Sequence, residues 1–186
     1  VFARGGMPLS ASNTLRGGDT ATGIVGVLNY TWAGNSASGN AYRIRPVNAL
    51  SGYVNFEVGN PRPTAVPEVD GTIKVVGMNL LNYFNTFDGY PDTVDNCTFG
   101  VGGDPADCRG ADNQTEFDRQ WTKTIAAILK MDPDVVGFNE IENDGYGVDS
   151  AIAELVDQLN AASTPGTYAF IDADTETGQV NALGTD

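Results

Sequence analysis

A chain of 186 residues, 41% hydrophobic and 18% charged, has room for one globular domain, or one domain and a piece of another. Its net charge of -14 argues against unaided binding to phosphate backbones, which takes basic side chains, although a divalent cation reverses the sign locally. It contains no histidine, which excludes a Ser-His-Asp triad and a His-ligated zinc site within this chain, and it has no apolar run long enough to span a bilayer.

Residues 1–18 are rich in Gly, Ser and Asn and read as a loop or frayed end. No signal peptide is visible, and a chain beginning at Val1 is consistent with a leader already removed. Thr20 to Trp32 reads as a strand, Ala33 to Asn40 as a hairpin loop, and Ala41 to Val47 as the returning strand. In that return Tyr42, Ile44 and Val47 alternate with Arg43 and Arg45. Tyr53 to Val58 is a candidate third strand. Two or three strands do not easily close a core, so residues 1–59 are expected to be a partial β-barrel module. Asn60 to Gly71, with Pro61, Pro63 and Pro67, reads as a linker.

Thr72 to Phe84 is the next predicted strand. A long polar loop follows from Asn85 to Ala111 and carries both cysteines, Cys97 and Cys108. They form either one disulfide, worth about 3 kcal/mol in the chain-entropy model, or two free thiols. Asp112 or Asn113 caps a helix whose apolar stripe is Phe117, Trp121, Ile125, Ile128 and Leu129. It must stop before Asp132-Pro133, because proline disfavours the α region in the residue before it. Asp134 to Ile141 is a short apolar strand that ends in Glu140, Glu142 and Asn143. Asp149 or Ser150 caps a second helix with the stripe Ile152, Leu155, Val156 and Leu159. Tyr168 to Ala173 reads as a further strand, and Thr175 to Asp186 as a polar segment without an element. From residue 72 on, the order β, α, β, α, β predicts an α/β layered sheet.

In such sheets chemistry collects where strands end. Asn79 closes one apolar run and Glu140 another. If the two strands are neighbours, an amide and a carboxylate converge at one sheet edge. That is a hard-oxygen pair, suited to Mg²⁺, Mn²⁺ or Ca²⁺ rather than zinc. The plainer alternative is that Asn79 caps a turn and Glu140 is a solvated edge residue.

Three stretches carry a family likeness. They are Lys74-Val75-Val76-Gly77-Met78-Asn79-Leu80-Leu81-Asn82-Tyr83-Phe84, Arg109-Gly110-Ala111 with Phe117-Asp118-Arg119-Gln120, and Pro133-Asp134-Val135-Val136-Gly137-Phe138-Asn139-Glu140-Ile141-Glu142-Asn143. Together they resemble the endonuclease/exonuclease/phosphatase superfamily, and within it the bacterial extracellular nucleases. The likeness covers about residues 60 to 186. It implies that residues 72–186 are the N-terminal part of a layered α/β domain. Gly18-Asp19-Thr20, Gly23-Ile24-Val25-Gly26-Val27-Leu28-Asn29-Tyr30 and Tyr42-Arg43-Ile44-Arg45-Pro46 resemble the end of the OB-fold module that precedes the nuclease domain in such proteins, which implies an OB-like module over residues 1–59. The family likeness further implies a secreted, divalent-metal-dependent nuclease acting on DNA or RNA. Glu140 would ligate the ion, with Asn79 orienting or ligating it.

Around that pair, Glu142 would hydrogen-bond, serve a second ion or merely solvate the strand end. Asn143 would lie next to the site. Arg119 would form a structural salt bridge or touch phosphate. Tyr30, Trp32, Tyr42, Arg43 and Arg45 would form a stacking and phosphate-contacting face on the OB-like module, or else be barrel core with solvated arginines. Asn139, by strand alternation, should face away from Glu140.

The chain departs from the family pattern in lacking its histidine, its Asp-x-Asn pair and its terminal Ser-Asp-His. The expectation is therefore a piece of a larger protein, nearly inactive alone, since general acid–base assistance supplies about 10²–10⁴-fold. Two other readings stay open. One is another phosphoesterase of the same superfamily. The other is a secreted calcium-binding interaction module built on the acidic loop between Asp88 and Asp112.

Overall fold

The structure, a computed structural model, describes residues 7–10, 12–34, 37–47, 54–89 and 94–181. The chain divides into two compact units, Val1–Ala65 and Val66–Asp186, and the division falls inside the proline-rich stretch.

The first unit is built on an antiparallel hairpin of β1 (Gly26–Trp32) and β2 (Asn40–Pro46). The strand begins at Gly26, later than its apolar run suggests. Gly23, with φ of 67°, turns the chain just before it. Upstream, Thr20 bridges to Glu57 through two backbone hydrogen bonds. Asp19 fastens that bridge: one carboxylate oxygen accepts from the Gly59 and Asn60 N–H groups and the other from Arg16 N–H. Of the third candidate strand, Tyr53 lies outside the described residues, and Glu57 makes this bridge. No closed barrel forms among the described residues.

The second unit is of mixed α/β type. β3 (Val75–Tyr83) pairs in parallel with β6 (Val135–Ile141), and α1 (Gln114–Met131) lies between them in sequence. Asn113 caps α1, its side-chain oxygen accepting from Glu116 N–H at 3.2 Å. The helix stops at Asp132, which takes a left-handed φ of 50° and donates its N–H to Ile128 O. Lys74 ties this stop to the start of β3: its ammonium donates to Met131 O, and its N–H to the Asp134 carboxylate at 2.7 Å.

α2 (Ala151–Ala162) is capped by Ser150. The core gathers Leu80 and Tyr83 of β3, Phe117, Ile125 and Ile128 of α1, and Ala151, Leu155 and Leu159 of α2. Tyr83 meets Phe117 edge to face at 5.0 Å, an arrangement aromatic pairs favour. The helices thus cover one side of the two-stranded sheet. Val75 and Val135, on its other side, are exposed.

Two predicted features differ. Tyr168 to Ala173 forms no strand. Its first residue is satisfied by a side chain: the Asn160 carboxamide accepts from Tyr168 N–H at 2.9 Å and donates to Tyr168 O at 3.0 Å. An amide that pairs both backbone groups of one residue substitutes locally for a neighbouring strand. The segment after it is not featureless. Asp172 caps a short helix, α3 (Ala173–Thr177), accepting from Thr175 N–H at 2.8 Å. The polar loop also holds a small hairpin, β4 (Cys97–Thr98) with β5 (Pro105–Ala106), stapled by the Cys97–Cys108 disulfide. Among the described residues no helix is long and apolar enough to cross a membrane.

Candidate metal centre

β3 and β6 run side by side in the same direction, so their C-terminal ends meet. Register holds from Val75↔Val135 through Asn79↔Asn139 and resumes at Tyr83↔Ile141. Between those points Leu80, Leu81 and Asn82 stand against Glu140 alone. The backbone absorbs this mismatch in an uncommon way. Leu81, Asn82 and Glu140 all take left-handed φ values, of 57°, 54° and 58°. Such conformations cost non-glycine residues about 1–3 kcal/mol each and persist where surroundings over-determine them. Bulges of this kind re-aim side chains and are common beside functional sites.

The surroundings here are specific. Gln120 of α1 points its side-chain nitrogen at three successive carbonyl oxygens, those of Leu80 (3.1 Å), Leu81 (2.9 Å) and Asn82 (3.2 Å). The Asn79 carboxamide oxygen accepts from Leu81 N–H at 2.8 Å. Glu142 N–H donates to Tyr83 O at 2.9 Å and closes the bulge from the β6 side. Gly110 passes so close that a Cβ there would lie 2.6 Å from Phe84 Cβ and 3.1 Å from Asn82 O.

Asn79 and Glu140 therefore sit on adjacent strand ends, one residue out of register. Asn79 is exposed and shares its face with its register partner Asn139, also exposed. Strict alternation would turn Glu140 to the other face, but its left-handed backbone interrupts the pleat at that residue. Glu140 is half-buried.

Glu142 is the best-anchored acid of the group. It is 8% exposed, and one of its oxygens accepts from the Asn85 and Thr86 N–H groups at 3.0 and 3.1 Å. Its other oxygen lies 3.5 Å from Cys97 Sγ. Of the roles read from sequence, the hydrogen-bonding one matches this geometry and a solvated strand end does not. Asn143 donates to the Asn181 carboxamide at 3.4 Å, and Asn181 in turn accepts from Val101 N–H at 2.9 Å. Asp144 accepts from Ala151 N–H with both oxygens, at 3.2 and 3.0 Å, and so helps to cap α2. Burial, then the neighbouring Glu142 carboxylate, push its pKa up to about 6.

Arg119 lies on the exposed side of α1. Its guanidinium is 3.5 Å from Glu116 one turn away and donates to Thr115 O at 3.3 Å. That is a local salt bridge, the structural of its two expected roles. In the first unit, Tyr30 and Tyr42 form a cross-strand ring pair at 4.7 Å. The register pairs Tyr42 with Tyr30 but Arg43 with Asn29 and Arg45 with Val27. Aromatic and guanidinium groups thus occupy opposite faces of the hairpin, because neighbours in a strand point opposite ways. Arg43 also spends one N–H on Trp32 O at 2.7 Å. The combined stacking and phosphate-contacting face does not form there.

Sequence motifs do not single out Gln120. The signal is its spacing: three residues after buried Phe117 and four before buried Thr124, it is a half-buried polar residue beside the helix's packed stripe.

Asn79 and Glu140 are both oxygen donors, the chemistry that a Mg²⁺-like ion takes. Among the described residues no three His, Cys, Asp or Glu side chains group as metal ligands. Mg²⁺ keeps several waters and is held by one or two carboxylates plus substrate phosphate, so one acid and one amide suffice. The Asn79 oxygen has two lone pairs and gives one to Leu81 N–H, leaving the other available. In the acidic loop, the Asp88 carboxylate accepts from Asn96 N–H and Cys108 N–H, which ties the loop around the disulfide. No family model, no curated protein and no solved structure matches this chain.

Proposed function

We propose that this chain carries the cation-holding residues of a secreted, divalent-metal-dependent nuclease of the endonuclease/exonuclease/phosphatase type, acting on DNA or RNA. One observation carries most of the reading: β3 and β6 are adjacent parallel strands whose C-terminal ends bear Asn79 and Glu140, at a bulge held in left-handed backbone. The sequence likeness supplies the substrate class. The disulfide suits an oxidising, extracellular setting.

Glu140 would hold Mg²⁺ or Mn²⁺, with Asn79 fixing its orientation. When bound, such an ion polarises a phosphoryl oxygen and offsets charge that a chain of net charge -14 would otherwise repel. The chain's own contribution would be positional: adjacent strand ends, tied by hydrogen bonds, carry one acid and one amide. With no histidine to act as general base, the 186 residues alone are expected to bind the ion while cleaving little nucleic acid.

The test is Mn²⁺ titration followed by electron paramagnetic resonance. Glu140→Gln should weaken binding by about tenfold or more, as expected for loss of a charged ligand. Asp157→Asn, the same charge change on the exposed side of α2, should leave it unaltered. Equal affinities for wild type and Glu140→Gln would end the reading.

A further inference from the structure

We infer that Gln120 is a positioning residue for the cation site, acting through the β3 bulge on Asn79; the inference rests on the reading above. Three carbonyl oxygens rarely converge on one donor by chance of packing. Here those of Leu80, Leu81 and Asn82 all lie within 3.2 Å of the Gln120 side-chain nitrogen. Carbonyl dipoles pointed at one spot repel each other unless a donor or a cation sits among them. The Gln120 amide supplies that donor, from a helix anchored in the core by Phe117 and Ile125.

The consequence reaches the ligand in two steps. Pinning Leu80 O fixes the Leu80–Leu81 peptide plane, to which the Leu81 N–H belongs, and that N–H holds the Asn79 oxygen at 2.8 Å. That hydrogen bond fixes the side-chain rotamer and takes one lone pair, so the other has a single direction left to it. Leu81, at φ of 57°, is a γ-branched residue in a conformation it resists. Without the Gln120 contacts the peptide is expected to relax toward the β region and release Asn79. Gln120 touches neither ion nor substrate in this scheme. Its role is the orientation that partners of metal ligands supply elsewhere, where their loss typically costs 10–100-fold in metal affinity.

The experiment uses the full chain and Mn²⁺ alone as probe. Gln120→Leu keeps bulk and removes the donor. Its Mn²⁺ affinity should fall by about tenfold. Gln120→Lys, whose ammonium again offers N–H groups to the carbonyls, should recover most of that loss. In the metal-free protein, the Leu81 amide resonance should shift and lose exchange protection in the leucine variant but not in the lysine variant.

If Gln120→Leu binds like wild type while Glu140→Gln does not, the inference fails and the nuclease reading survives. Both fall if neither substitution alters binding. A lysine variant as weak as the leucine variant would show that packing, not donation, matters, and would overturn the proposal. Should Gln120→Leu not fold, the isosteric Gln120→Glu replaces it; a folded glutamate variant with wild-type affinity would likewise overturn it.

Discussion

The two paired-strand units use the same sequence pattern to opposite effect. In the β1–β2 hairpin the apolar side chains Leu28, Tyr30, Trp32, Tyr42 and Ile44 share one face, and they are 56–73% exposed. The less exposed face holds Asn29, Thr31 and Arg43. In the β3–β6 sheet the apolar residues Met78, Leu80, Val136 and Phe138 also share a face, and there α1 and α2 cover it. Alternation therefore decides which side chains travel together. Whether they stabilise anything depends on a second layer, since burial is what separates apolar atoms from water.

This contrast predicts a hierarchy of effects. The largest belongs to the covered layer: Phe117→Ala removes a ring that is 0% exposed and should cost about 3–5 kcal/mol, against a total stability of about 5–15 kcal/mol. Urea denaturation reads it. The matching change in the hairpin, Leu28→Ala, should stay within about 0.5 kcal/mol, the range of surface substitutions. A cost comparable to Phe117→Ala would mean that the hairpin's apolar face is covered in solution, and the comparison would break.

The disulfide comes next. Replacing Cys97 and Cys108 together by serine should lower stability by about 3 kcal/mol, chiefly by freeing the unfolded chain. The loss should appear in the unit that contains β3 and leave hairpin probes such as Trp32 fluorescence unmoved.

A pH dependence at the α2 cap comes last. Asp144 has a pKa of about 6 in the folded chain against an ordinary 3.8, so the folded state keeps a proton that the unfolded state has given up. Stability from this group is therefore highest in acid and falls as pH rises from about 4 to about 6. Asp144→Asn keeps an acceptor for Ala151 N–H and removes the titration. Its melting temperature should gain on wild type between pH 4 and pH 7. A constant difference across that range would show that Asp144 titrates as an ordinary surface acid.

Local signals were legible where one residue's chemistry settles the matter. Asn113 and Ser150 cap as their side chains dictate, and Asp132-Pro133 stops α1 because the proline ring crowds its predecessor. Of α1's predicted stripe, Phe117, Ile125 and Ile128 are buried. Where two distant segments must meet, the sequence misled. Tyr168–Ala173 has strand-like residues, but a strand exists only through a partner, and the Asn160 side chain took that place. Tyr42 adjoins Arg43 along the chain, yet adjacent strand residues face apart.

The candidate site divides in the same way. That Asn79 and Glu140 each end an apolar run is written in the sequence. So are the charge, the absent histidine and the oxygen-donor chemistry that they permit. The one-residue offset between these two, the left-handed bulge at Leu81, Asn82 and Glu140, the burial of Glu142 under the Asn85–Thr86 backbone and the grip of Gln120 were decided only in three dimensions. Periodicity and capping are read within a few residues of backbone, whereas register and polar satisfaction are set by what the rest of the chain brings alongside.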